Sequence, residues 1–219
     1  DAYGATGGGT GLRCSLGFTA TDAGGNAINI TAGHCDPNRD LAGTASASRV
    51  YELNSGGTGA LLGSFSKSVL DRYDYALIRA TDTARHRFQN NGVRVPGAAA
   101  LPMTGTATPV VGAPVCKSGL TTGYTCGSVL SVNQDVQIGA RTIIGGFSTN
   151  ICALQGDSGG PIVTGTSALG ISSASNVGQY PACEIAGVLT FVLGESPELF
   201  ATPINTILAD NPGVRIRTS

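Results

Sequence analysis

Charge is scarce in this 219-residue chain: 12% of its residues are Asp, Glu, Lys or Arg, and the formal net charge is −1. That is about half of the usual ~25%, so the surface must rest on Ser, Thr, Asn and backbone amides. Near-neutral charge removes the basic footprint of a nucleic-acid binder, and no nucleic-acid partner is expected. No apolar run approaches the ~18 residues needed to span a bilayer, so no membrane partner is expected either. The 33 Gly follow no three-residue period, which excludes collagen. No C-x-x-C pair occurs and the two His lie far apart, so no metal site is visible and no cofactor is expected. Apolar residues make up 41% of the chain, which rules out disorder, and the length is enough to bury a full core.

Six cysteines, Cys14, Cys35, Cys116, Cys126, Cys152 and Cys183, read as disulfides. Sequence alone leaves their pairing open. The simplest choice is sequential, Cys14–Cys35, Cys116–Cys126 and Cys152–Cys183. Each such bond would close a loop of roughly 10 to 30 residues and stabilise by about 3 kcal/mol. Disulfides need an oxidising compartment, so a secreted, extracellular protein is expected. The start at Asp1, with no Met and no signal-peptide core, reads as a mature, processed product.

Short β-rich runs broken by Gly, Asn, Asp and Pro dominate the chain. Strands are expected over 13–20, 27–32, 75–80, 109–115, 128–132, 142–147, 161–164, 168–173 and 185–192. Turn signals such as Asp22-Ala23-Gly24-Gly25 and Ser55-Gly56-Gly57 have the close spacing of an all-β barrel or sandwich. One helix is expected over 203–209, with Ile204, Ile207 and Leu208 on one face. The Pro-, Gly- and Thr-rich stretch 96–109 reads as a linker, giving an N-terminal half, 1–104, and a C-terminal half, 105–219.

Three segments carry chemistry. In Gly156-Asp157-Ser158-Gly159-Gly160-Pro161 the Ser158 hydroxyl is a nucleophile only if a base removes its proton. Its glycines let the Gly156 and Ser158 N–H groups turn toward a developing oxyanion, although an isolated G-x-S-x-G is more often a plain turn. His34, in Thr31-Ala32-Gly33-His34-Cys35, is the candidate base. The other histidine, His86, lies between Arg85 and Arg87 and reads as a solvated surface residue rather than a base. Asp74 precedes the apolar run Tyr75-Ala76-Leu77-Ile78 and is preferred over Asp71 as the carboxylate that orients the imidazole. The α/β-hydrolases place their His after the Ser, and no His follows Ser158, so that class is excluded.

The order His, Asp, Ser is that of chymotrypsin-like serine peptidases. The His34 and Ser158 segments resemble that family's signatures, and Asp74-Tyr75-Ala76-Leu77-Ile78 resembles its Asp segment. Arg13-Cys14-Ser15-Leu16-Gly17-Phe18, Cys116-Lys117-Ser118-Gly119 and Thr121-Thr122-Gly123-Tyr124-Thr125-Cys126-Gly127 narrow the resemblance to the secreted actinobacterial branch of the Streptomyces griseus proteases and the related α-lytic protease. The resemblance implies two six-stranded antiparallel β-barrels, with His34 and Asp74 from the first, Ser158 from the second and the active site between them. It supports the sequential disulfide pairing and an acyl-enzyme mechanism on polypeptide substrates. It makes a cleaved propeptide or a protein inhibitor a candidate partner of an expected monomer. Ser173 matches the position whose hydroxyl supports the Asp, and Ser173-Ala174-Ser175, with Ala153, matches the substrate-binding wall. Asp157 requires a buried counter-charge, and Lys117 stands where bacterial relatives have Arg, so an Asp157–Lys117 ion pair is expected.

Specificity rests on departures from the family pattern. Asn150 stands where trypsin-like members place an Asp, which argues against a strict Lys/Arg preference. Ala174 and Ser175 replace the usual Gly-Gly and should narrow the pocket toward small or medium apolar side chains. Glu184, Glu195 and Glu198 lie in the divergent segment 176–199, where any of them facing the pocket would restore a basic preference. The alternatives to a peptidase are a catalytically silent peptide-binding member of the same fold and an esterase using the same triad. Asn29-Ile30-Thr31 is a formal glycosylation sequon, but it falls within an expected strand.

Overall fold

Glycines and short polar turns punctuate the apolar runs at a spacing that strands can fill and helices cannot. A computed structural model describes residues 2–7, 10–194 and 196–219. The first half carries strands β1 (Ala2–Gly7), β2 (Thr10–Ser15), β3 (Phe18–Thr21), β4 (Ala27–Thr31), β5 (Arg49–Asn54), β6 (Gly57–Leu70) and β7 (Asp74–Ala80). A two-stranded ribbon follows, β8 (Gly92–Val93) with β9 (Leu101–Pro102). The second half contributes β10 (Gly105–Thr106), β11 (Pro114–Gly119), β12 (Gly123–Ile138), β13 (Arg141–Thr149), β14 (Pro161–Thr164), β15 (Ser167–Ser175) and β16 (Leu199–Pro203). Helix α1 (Cys183–Leu193) precedes β16, helix α2 (Ile204–Asp210) follows it, and β17 (Arg215–Ile216) comes last.

Both large sheets curl into barrels. The first runs β17-β3-β4-β7-β6-β5-β1-β2. Edge strand β2 and strand β3, which lies next to the opposite edge, are joined by Leu16 and Gly17 alone, and the three Cα steps from Ser15 to Phe18 span no more than ~11 Å, so the sheet must bend round on itself. Counting β2 and β3 as one interrupted strand gives the expected number of staves, with β17 added along an edge. In the second sheet β15 pairs with both β14 and β16, which closes the ring β15-β14-β11-β12-β13-β16, and β10 runs parallel to β15 outside it. One core packs Phe18, Ile28, Ile30, Phe65, Tyr75 and Ile78; the other packs Val129, Phe147, Ile151, Ile162 and Leu169. Helix α2 and the residues after it dock on the first barrel. There Lys67 Nζ donates to Asn211 Oδ1 at 2.8 Å, and Tyr75 Oη donates to Asp210 while accepting from Asn211 Nδ2.

Several expected elements need correction. The strand expected over 185–192 is helix α1. Every position from Ile185 to Leu193 except Gly187 and Thr190 is apolar, so the run lacks the alternation that would mark a strand, and Glu184 places a negative charge in the first turn, where a helix favours it. The strand expected over 109–115 begins only at Pro114, because Ala113 N–H bonds back to the Val110 carbonyl and Gly112 adopts φ +86°. The run 13–20 breaks at Leu16–Gly17, where a Cβ on Gly17 would lie 1.9 Å from the Ile30 carbonyl oxygen. Asn29 of the sequon is buried in β4, accepting from Gly17 N–H at 2.8 Å. Among the described residues no helix is long and apolar enough to cross a membrane.

Candidate active site

Adjacent strands deliver the histidine and the aspartate. In the β4–β7 pairing Thr31 faces Ala76, so the turn Gly33–Cys35 just beyond β4 lies beside Asp74 at the start of β7. Asp74 is 1% exposed and grips His34 twice. Its Oδ1 accepts the His34 backbone N–H at 2.9 Å, and its Oδ2 lies 2.7 Å from Nδ1. Ser173, from β15 in the second barrel, donates its hydroxyl to the same Oδ2 at 2.5 Å. Thr202 on β16 donates to the Asp74 carbonyl at 3.1 Å.

These contacts fix the electrostatics. Burial opposes charge on Asp74, but the His34 charge and the hydrogen bonds from His34 and Ser173 outweigh it and hold the carboxyl below the usual carboxylate range. Burial likewise opposes an imidazolium, yet the Asp74 charge and hydrogen bond prevail and raise the His34 pKa. An ionised Asp74 accepts a hydrogen bond from Nδ1–H of neutral His34, which leaves Nε2 with its lone pair free to act as a base.

Ser158 sits in the tight turn before β14. Gly156 has φ +102° and Gly159 φ +85°, backbone that L side chains rarely adopt. A Cβ on Gly159 would meet Thr31 Oγ1 at 2.1 Å, so the turn presses directly on the first barrel. Two carbonyls of this turn are held by hydrogen bonds. Thr121 Oγ1 donates to Gln155 O at 2.5 Å, and Gly160 N–H donates to Asp157 O at 3.1 Å. Because a trans peptide places N–H opposite C=O, the Gly156 and Ser158 N–H groups point the other way. His34, Gly156 and Ser158 share the wall of a cavity of about 750 Å³ with Leu12, Arg13 and Thr121. On its other side Ser158 lines a second cavity of about 320 Å³ with Ala153, Leu154, Ser173, Ala174, Ser175, Gly178 and Gln179. Ser158 therefore stands at the junction of two recesses.

Asp157 turns into the protein beside the serine and is 1% exposed. Its Oδ1 accepts from Thr121 N and Thr122 N, and its Oδ2 from Leu154 N and the Thr122 hydroxyl at 2.7 Å. Lys117, fully buried, brings Nζ to 3.9 Å from Asp157 Oδ2 and donates to Thr122 Oγ1 and to Gly123 O. Burial lowers the Lys117 pKa and Asp157 opposes that shift without cancelling it. The contact is thus an ion pair relayed by a threonine rather than a bidentate fork.

The disulfides are Cys14–Cys35, Cys116–Cys126 and Cys152–Cys183. The Cys14 and Cys35 sulfurs and a His34 nitrogen lie within 4.8 Å of one another, but the sulfurs are bonded together and leave no metal ligand set. Asp71 and His86 are exposed, apart from the site. Asn150 does not line the smaller recess; its Oδ1 accepts from Ser128 N at 2.8 Å. Glu184 and Glu198 are not among the residues lining that recess, and Glu195 lies outside the described residues. Sequence reasoning gave no role to Thr121, Thr122 or Thr202. The first two lie inside a segment already singled out, whereas nothing local distinguishes Thr202.

The Trypsin family model matches residues 12–192. The chain is 37% identical over 177 residues to Serine protease 2 of Streptomyces fradiae, covering 80% of this chain and 92% of that one. It is 34% identical over 176 residues to Streptogrisin-C of Streptomyces griseus, covering 80% of this chain but only 34% of that longer protein. Among solved structures, Thermobifida fusca Protease A superposes with a TM-score of 0.74 at 29% identity, over 100% of this chain and 97% of that one. Likeness of this extent, in sequence as in fold, makes the chain a member of the Trypsin family, a chymotrypsin-like serine endopeptidase.

Proposed function

We propose that Ser158 is the nucleophile, His34 the general base and then general acid, and Asp74 the carboxylate that orients and stabilises the imidazolium. Neutral His34 takes the Ser158 hydroxyl proton as the oxygen attacks the peptide carbonyl. The Gly156 and Ser158 N–H groups receive the carbonyl oxygen as it becomes an oxyanion. His34 returns the proton to the leaving amine, and water, activated by His34 in turn, hydrolyses the acyl-enzyme. The observation that carries this reading is the His34–Asp74 contact at 2.7 Å with Ser158 on the wall of the same cavity. Fluorophosphonate labelling of native and denatured protein, with peptide mapping, tests it: one adduct on Ser158, in the native form only, is expected. No adduct on folded protein would overturn it in favour of a silent peptide binder.

The acyl-side pocket accepts a small or medium apolar residue. The smaller recess supports this, because among the described residues its only charged lining residue is Asp157, whose oxygens are taken up by Thr121, Thr122 and Leu154. On that wall no strand pairs with Ser173–Ser175 on the side away from β16, among the described residues, which leaves an edge for substrate backbone. Profiling with a peptide library should show cuts after Ala, Val, Leu or Met; dominant cutting after Lys, Arg or Glu would refute it. Three disulfides support secretion into an oxidising compartment. Action as a monomer, with a propeptide or protein inhibitor occupying the same cleft, completes the proposal.

A further inference from the structure

Ser15, on β2 of the first barrel, makes a set of contacts that no triad role explains. Its hydroxyl donates to Gly156 O at 2.8 Å and accepts from Leu120 N at 2.7 Å, while its backbone N–H donates to Ser158 O at 2.8 Å. Its own carbonyl accepts from Thr31 Oγ1 at 3.0 Å, and Thr31 is bonded in turn to the buried Tyr3 hydroxyl at 3.0 Å. Ser15 is 1% exposed, so water does not compete for any of these groups.

We infer that Ser15 is a positioning residue through which the first barrel sets the oxyanion-binding turn of the second. Gly156, at φ +102°, lacks the side chain that would stop its flanking peptides from rotating. The Gln155–Gly156 plane is held by Thr121, and the Gly156–Asp157 plane by the Ser15 hydroxyl. The plane after Ser158 is held by the Ser15 N–H. One residue thus fixes the carbonyl following each of the two N–H donors, from the barrel that also supplies His34. Donor direction matters most when negative charge develops on the substrate oxygen, so Ser15 acts on the transition state more than on substrate binding. The inference rests on Ser158 being the nucleophile.

The test is Ser15→Ala beside Ser15→Thr, with kcat referred to active sites titrated by a fluorophosphonate, and with the affinity for a peptidyl boronate. For Ser15→Ala, kcat per titrated site and boronate affinity should both fall roughly 10- to 100-fold, the range expected of a small misplacement. KM should stay within about twofold, and Ser15→Thr, which retains the hydroxyl, should restore most of kcat. A purely structural role would lower the titratable fraction and Tm but leave kcat per site and boronate affinity at the parent values, and that result would overturn the inference. Should Ser15→Ala not fold, Ser15→Cys, of similar size and a weaker donor, decides on the same readouts. A parent enzyme that does not titrate at Ser158 would defeat the reading of the site instead.

Discussion

At the scale of single residues, the site is governed by which charges are kept from water and what answers them. Asp74 holds the His34 pKa above the ordinary 6.5 of an imidazole. As the proposed base, His34 must be neutral, so kcat/KM should rise with pH through that pKa, with its acid limb above the ordinary imidazole position. In Asp74→Asn the charge that raises it is gone; the limb should move to lower pH and kcat should fall by about 10⁴. A pH–rate profile of both proteins checks the sign, and a limb that stays in place would contradict it. The Asp157–Lys117 pair poses the opposite problem. Lys117→Met leaves a buried carboxylate with four hydrogen-bond donors but no counter-charge, and should cost about 3 kcal/mol in urea unfolding. A loss below about 1 kcal/mol would mean that the amides and the Thr122 hydroxyl suffice.

Among the elements, the Cys152–Cys183 bond joins the first residue of α1 to the chain next to Ala153 on the wall of the smaller recess. Replacing both cysteines by Ser should remove about 3 kcal/mol of stability. It should also raise KM severalfold with kcat little changed, because His34, Asp74 and Ser158 are fixed by strands and turns elsewhere. Steady-state kinetics and thermal melts check this; a fall in kcat at constant KM would show that α1 reaches the chemistry. Much at this scale is readable in the letters. Strands β4, β7 and β14 are short, largely apolar runs bounded by turn residues, and His34, Asp74 and Ser158 each sit at or within a few residues of the end of one. The long strand β6 is less readable because Ser64, Ser66 and Ser68 alternate with a mixture of apolar residues and Lys67, a pattern that a polar loop shares. Helix α1 is hidden for the reverse reason: its exposed Val188, Phe191 and Val192 erase the polar face that would have shown a helical period. The Thr122 bridge and the Thr202 bond are invisible locally, since a threonine's role there depends on a partner 35 or 128 residues away.

For the molecule as a whole, the two barrels are not separable modules. Ser15, Ser173 and Thr202 each bond across from one barrel to the other, and α2 and β17 return from the second half to the first. Strand β17, from the last residues described, belongs to the sheet of the first barrel through its pairing with β3. Deleting 214–219 should therefore destabilise the first barrel although every residue from Phe18 to Ala80 is kept; a lowered Tm with early loss of the His34 environment by NMR is expected, and an unchanged melt would refute it. Strand β17 also has a consequence for biosynthesis. The residues that cover the outer edge of β3 follow it only after residues 22–214, so a nascent chain carries that strand uncapped until all of these have been made. Closing so distant a pairing loses chain entropy before it gains contacts, which makes it slow, and an open strand edge meanwhile invites pairing with a neighbouring chain. Completion of the first barrel thus waits on β17, and the interval before that strand arrives is when the chain is most open to aggregation.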